Sequence, residues 1–164
     1  METIEKEFIY LVKSYERVIY KVCYLYASSY ASIEDLYQEV LVNLWKGFPH
    51  FRGESKLSTW VYRIALNTCI TFLRKESRMP QLVQLTAQMD RIEESDDTKE
   101  MLRRLYDLIA RLNPLDKSLI LLYLEDRSYE EMAEITGLTA TNVATKLSRI
   151  KEKMRKMKKE TETY

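Results

Sequence analysis

Apolar residues recur at three- and four-residue spacing along most of the chain, and no long stretch alternates apolar with polar positions. Between Glu5 and Ala27, the residues Phe8, Leu11, Val12, Tyr15, Val18, Ile19, Val22 and Tyr26 fall on one helical face. Small polar residues interrupt the pattern from Ser28 to Ser32. Ser32, with Asp35 three residues on, forms a shortened capping box that opens a second helix running to about Lys46. That helix turns Leu36, Val40, Leu44 and Trp45 or their neighbours inward. Gly47, Pro49 and Gly53 then bracket a loop, Gly47 to Lys56, too rich in helix breakers to continue. A third helix, Leu57 to about Lys75, carries Leu57, Trp60, Val61, Ile64, Ala65, Thr68 and Phe72 along one stripe.

Residues 79–97 lose this periodicity. Pro80, two Gln-Leu pairs and the acidic run from Asp90 to Asp97 read as a flexible linker. Four shorter helical segments follow. Thr98 to Leu112 is amphipathic, and Asn113-Pro114 supplies an N-cap and first residue for a helix to about Leu124. Ser128-Tyr129-Glu130-Glu131 is a capping box opening a helix that ends at Gly137, and Thr139 caps a last helix to about Lys158. Val143, Leu147, Ile150 and Met154 form its inner face. The expected fold is all-α: two small helical domains, 1–78 and 98–164, joined by an acidic linker over 79–97.

Composition narrows the function classes. A hydrophobic content of 46% excludes wholesale disorder, and three Gly and three Pro favour helix throughout. The charged N-terminus and the shortness of the longest apolar run, Leu119 to Leu124, give neither a signal peptide nor a membrane span. The chain reads as soluble and cytoplasmic. Cys23 and Cys69 lie in helical patterns without metal-ligand spacing and His50 is the single histidine, so two small core residues are expected rather than a metal site or disulfide. Net charge is only +1, yet its distribution is uneven. Residues 51–78 carry six basic and two acidic side chains, and residues 139–164 carry eight and three. Two basic patches on an acidic background permit local phosphate contacts while limiting general adhesion to polyanions.

The second patch coincides with a helix-turn-helix pattern. Ala133 falls where two helices pack closely, Gly137 where the turn needs positive φ, and Leu138 and Val143 where the angle between helices is plugged. The outer face of the last helix offers Thr141, Asn142, Thr145, Lys146 and Arg149, then Lys151, Lys153, Arg155 and Lys156. Short polar residues near the helix N-terminus suit base edges in the major groove, and cations further along suit phosphates. The first patch mixes basic and aromatic residues, including Phe51, Arg52, Lys56, Trp60, Tyr62, Arg63 and Arg74. Such interleaving suits single-stranded DNA. For Trp60, on the apolar stripe, core packing is the stronger reading. On the third helix Thr59, Tyr62, Arg63, Leu66, Asn67 and Arg74 are expected away from that stripe. These patterns leave open a stand-alone DNA-binding regulator, which would need a dimerisation surface, and a helical adaptor without DNA contact.

Four stretches carry a family resemblance, the first of them Tyr15-Glu16-Arg17-Val18-Ile19-Tyr20. Glu34-Asp35-Leu36-Tyr37-Gln38-Glu39-Val40 with Leu44-Trp45, then Phe51-Arg52-Gly53-Glu54-Ser55-Lys56-Leu57-Ser58-Thr59-Trp60-Val61-Tyr62-Arg63-Ile64-Ala65, then Ser128-Tyr129-Glu130-Glu131-Met132-Ala133 resemble the extracytoplasmic-function sigma factors of the sigma-70 family. The resemblance implies a non-enzymatic initiation factor with no cofactor, metal, catalytic residue or small-molecule substrate. It implies that Asp35, Leu36, Gln38, Glu39, Asn43 and Trp45 bind core RNA polymerase. It implies that Phe51, Arg52, Gly53, Glu54, Ser55, Lys56, Thr59, Arg63 and Asn67 take single-stranded minus-10 DNA. Thr139, Thr141, Asn142, Thr145, Lys146, Arg149 and Lys153 would read the minus-35 duplex, and an anti-sigma factor is an expected partner. The chain departs from the family where Thr141-Asn142-Val143 replaces a frequent Gly-Thr-Val and Ala144 replaces a common basic residue. The base sequence read at minus-35 therefore does not carry over from other members.

Overall fold

The first apolar stripe folds as two helices rather than one. In the computed structural model, which describes residues 2–28, 31–76 and 96–162, α1 (Glu2–Ser14) and α2 (Glu16–Tyr26) meet at Tyr15, with φ −112° and ψ 14°. Ser14 Oγ donates to the Tyr10 carbonyl at 2.8 Å, a back-bond of the kind that bends helices. The single helix expected over 5–27 is corrected accordingly. Leu11 is the one buried residue of α1, whereas Ile19, Val22, Cys23, Tyr24, Leu25 and Tyr26 of α2 are all buried.

Ser32 caps α3 (Ile33–Gly47), accepting from the Asp35 amide at 3.1 Å. Leu36, Val40 and Leu44 are buried along its inner face, while Trp45 stays 41% exposed. A 3-10 turn, Phe48–His50, follows and leads into the irregular segment 51–56. Next comes α4 (Leu57–Glu76), which packs against both α2 and α3. Being buried on two sides, it hides more than the expected stripe. Thr59, Tyr62 and Leu66, expected on the open face, lie in the core with Val61, Ala65, Thr68 and Cys69. Cys23 and Cys69 are free thiols in this core. A hydrogen bond with Cys23, then burial, pushes the Cys69 thiol well above its ordinary range.

Two compact units divide the chain, Met1–Val83 and Gln84–Tyr164. The expected linker over 79–97 lies outside the described residues except for Asp96 and Asp97, which already belong to α5 (Asp96–Ala110). In the second unit Asn113 accepts from the Asp116 amide at 2.9 Å and caps α6 (Pro114–Leu124), which begins on proline. Its run Leu119–Leu122 is buried, whereas Tyr123 and Leu124 are exposed. Ser128 caps α7 (Tyr129–Thr136), accepting from the Glu131 amide at 3.1 Å. Finally α8 (Ala140–Glu162) packs against α5, α6 and α7, burying Val143, Leu147 and Ile150. Among the described residues no strand forms, and no helix is long and apolar enough to cross a membrane.

Candidate functional site

In the first unit, the helical periodicity of α3 separates a contiguous motif into two faces. Asp35, Gln38 and Glu39 are exposed, but Leu36 is fully buried at 0% exposure. Leu36 therefore supports α3 from below, a correction to its expected place among partner-facing residues. Asn43 lies at the seam with α4. Its Nδ2 donates to Thr68 Oγ1 at 2.9 Å, and that hydroxyl donates to the Ile64 carbonyl at 2.6 Å. Beside this bond a cleft of about 510 Å³ is lined by Glu39, Asn43, Arg63, Asn67, Thr71 and Lys75, among others. The structure thus brings Arg63 and Asn67 together as expected of a shared surface, and adds Asn43, Thr71 and Lys75 to it. Thr59 does not reach it. At 1% exposure it belongs to the core, because α4 is covered on that side too.

The loop ahead of α4 is shaped by two glycines with different reasons. A Cβ on Gly47 would meet Trp60 Cζ2 at 3.2 Å, so the absent side chain lets the indole approach the backbone. Gly53 has φ +73° with nothing within 4 Å of a Cβ, so there the backbone conformation itself favours glycine. Arg52, Gly53, Glu54 and Lys56 are exposed, Ser55 and Phe51 half-buried. The Phe51 ring packs on Trp60, with centroids 5.2 Å apart, in line with a packing role for that tryptophan.

The second unit presents a helix, a sharp turn and a second helix. Gly137 closes α7 in the left-handed region at φ 81°, its amide donating to the Ala133 carbonyl at 2.9 Å. Thr139 Oγ1 accepts from the Asn142 amide at 3.1 Å and caps α8, which aims the helix start outward. Met132, Ile135 and Val143 are buried where α7 packs on α8, and Leu138 is half-buried. From this rigid corner Thr141, Asn142, Thr145, Arg149 and Lys153 are exposed and Lys146 is half-buried. Thr139, though exposed, already spends its hydroxyl on the cap. Thr145 Oγ1 donates to the Thr141 carbonyl at 3.1 Å, which orients it along the helix. Lys151 is half-buried, with its Nζ 3.9 Å from the Tyr123 ring centroid. A polar cleft of about 430 Å³ between Tyr129, Ala144, Ser148, Arg149 and Arg155 adjoins the exposed face. Tyr129 was not singled out for contact by its sequence pattern, which registers it only inside a capping box.

The turn allows a direct check. No atom lies within 4 Å of a Cβ at Gly137, so Gly137→Ala tests backbone strain without steric conflict. We expect a loss of about 1 kcal/mol, the cost of an L-residue in the left-handed region, and a melting temperature lower by roughly 5 °C for a unit of this size. Calorimetry of the variant beside the parent chain measures it.

The family description Sigma-70 region 2 matches residues 11–79, and Sigma-70, region 4 matches residues 102–154. The ECF RNA polymerase sigma-E factor of Haemophilus influenzae is 30% identical over 162 residues, covering 90% of this chain and 85% of that protein. The ECF RNA polymerase sigma factor SigG of Mycobacterium tuberculosis is 44% identical over 66 residues, but the match spans only 18% of SigG. In fold, the chain is similar to the sigma factor RpoE solved in complex with the anti-sigma factor NepR from Bartonella quintana. That likeness has a TM-score of 0.70 at 19% identity, and covers 97% of this chain and 98% of the other.

Proposed function

The chain belongs to the extracytoplasmic-function group of the sigma-70 family, non-enzymatic factors that direct RNA polymerase to promoters, and from that membership we propose how the work is divided along it. The first unit, 1–78, docks on core polymerase through the exposed acidic and amide face of α3, Asp35, Gln38 and Glu39, with Trp45 at its end. The same unit takes unstacked minus-10 bases between the loop 51–56 and the Arg63–Asn67 surface of α4. The second unit, 98–164, lays α8 in the major groove of the minus-35 duplex, with Thr141, Asn142 and Thr145 toward base edges and Lys146, Arg149 and Lys153 toward bases and phosphates. The segment 79–97 links the two. Polymerase supplies the chemistry, and the chain acts in the cytoplasm. A partner of the anti-sigma class, like the one bound to the structurally similar Bartonella protein, holds it inactive.

One observation carries this reading: a single chain joins a helix-turn-helix of exposed cations to a unit with an acidic docking helix beside a basic and aromatic loop. A stand-alone regulator has no use for the second of these. With net charge +1, the free chain has little general pull on DNA. It is therefore expected to bind its promoter weakly until polymerase holds both units on the template. Mobility shifts at about 0.1 M salt, where exposed charges act only over about 10 Å, compare the free chain with the holoenzyme. Tight sequence-specific binding by the free chain contradicts the proposal.

A further inference from the structure

Five aromatic side chains of the first unit form an unbroken run from α1 to the loop before α4. Phe8 meets Trp45 edge-on, with centroids 5.0 Å apart and planes at 64°, and meets Phe48 at 5.7 Å. Phe48 lies 6.4 Å from Trp60, and Trp60 lies 5.2 Å from Phe51. All four separations fall in the range where ring pairs attract beyond their area of contact. The run does not build the core. Ile19, Leu36, Leu44, Val61 and Ala65 are each at 0% exposure, whereas Phe8, Phe48, Phe51 and Trp60 are half-buried and Trp45 is exposed.

We propose that Phe8 is a positioning residue, coupling the polymerase-facing Trp45 to the base-capturing loop 51–56 through Phe48, Trp60 and Phe51. The inference rests on the docking and base-capture roles proposed above. Phe8 brings a ring from α1 against both the end of α3 and the 3-10 turn that follows it. Below it, Trp60 is pressed against the bare backbone of Gly47, so it has little room to move. A polymerase surface that packs on Trp45 limits the positions open to Phe8 and Phe48. These in turn limit Trp60 and the Phe51 ring seated on it. Docking then stiffens the loop before DNA arrives, which lowers the ordering cost of taking an unstacked base.

The test uses holoenzyme reconstituted with Phe8→Leu, which keeps apolar bulk and loses the ring, and with Phe8→Tyr, which keeps the ring. The probes are a single-stranded minus-10 oligonucleotide and a minus-35 duplex. Phe8→Leu is expected to weaken the oligonucleotide by about tenfold, a size within reach of two lost ring contacts. Duplex affinity should be unchanged and Phe8→Tyr should restore the oligonucleotide. Trp45 and Trp60 are the two tryptophans of the chain, so tryptophan emission of the free protein, excited at the red edge where the tyrosines do not absorb, reports on this run, and Phe8→Leu should shift it. Phe48→Leu, in the middle of the run, should give the same selective defect and decides the matter if Phe8→Leu melts early. Oligonucleotide affinity like the parent's in a Phe8→Leu chain with altered fluorescence overturns the inference. So does equal weakening of both DNA probes. Phe51→Ala separates the two levels. If it weakens the oligonucleotide while both leucine variants do not, only the coupling is wrong; if it has no effect, base capture by the loop is wrong and the coupling falls with it.

Discussion

Replacing Lys146 and Arg149 together by alanine should abolish promoter-specific transcription while leaving the grip on core polymerase intact. Arg149 is exposed and Lys146 half-buried on the outer face of α8, about two to three helical turns beyond the capped start at Thr139. Alanine is the best helix former, and neither side chain belongs to the buried set of Val143, Leu147 and Ile150. The fold therefore tolerates the change. What is lost is contact with DNA. A well-placed base contact is worth about 1–3 kcal/mol, so two together should lower promoter-dependent initiation by about 30-fold or more. Run-off transcription reads the loss, and co-purification with core polymerase reads what is kept. If transcription persists at parental levels, α8 is not the element that reads the minus-35 duplex.

The mirror-image variant acts on the other unit. Asp35→Asn with Glu39→Gln keeps shape and removes two charges from the exposed face of α3. The cap is spared, because the Asp35 group bonded to Ser32 is its backbone amide. Asp35 in the first turn does favour the helix dipole, but that contribution is only about 0.3–1 kcal/mol and is too small to unfold a helix buried through Leu36, Val40 and Leu44. Interfacial charge pairs couple by about 1.5 kcal/mol or more each, so losing two should weaken binding to core polymerase by about 100-fold. Binding of a minus-35 duplex by the second unit should be unaffected. Titration of labelled chain into core polymerase measures the first effect. Undiminished affinity would move the docking surface elsewhere.

The features legible in the sequence are those set by neighbours along the chain. Ser32, Asn113, Ser128 and Thr139 cap helices where their spacing to the following residues places them, and Gly137 takes the positive φ that its turn needs. The break at Tyr15 escaped because a continuous apolar stripe carries no mark of a change in axis; the only local trace is the hydroxyl of Ser14. Thr59, Tyr62 and Leu66 were expected outside because an amphipathic stripe assumes one buried side, and α4 has two. Leu36 was swept in with its neighbours because a motif is contiguous in sequence while a helix turns its members to opposite faces. The cleft's Asn43–Thr68 bond, the Lys151–Tyr123 contact and the ring run starting at Phe8 join residues distant in sequence or on separate helices. No spacing rule records such pairs.

The central claim is that two separate surfaces of one chain read two promoter elements for the same polymerase. Transcription reconstituted from core polymerase and this chain on a library of genomic fragments tests it most directly. The account predicts start sites that require the added chain and that share two motifs at a constant separation. Start sites sharing a single motif, or none that depend on the chain, would contradict it.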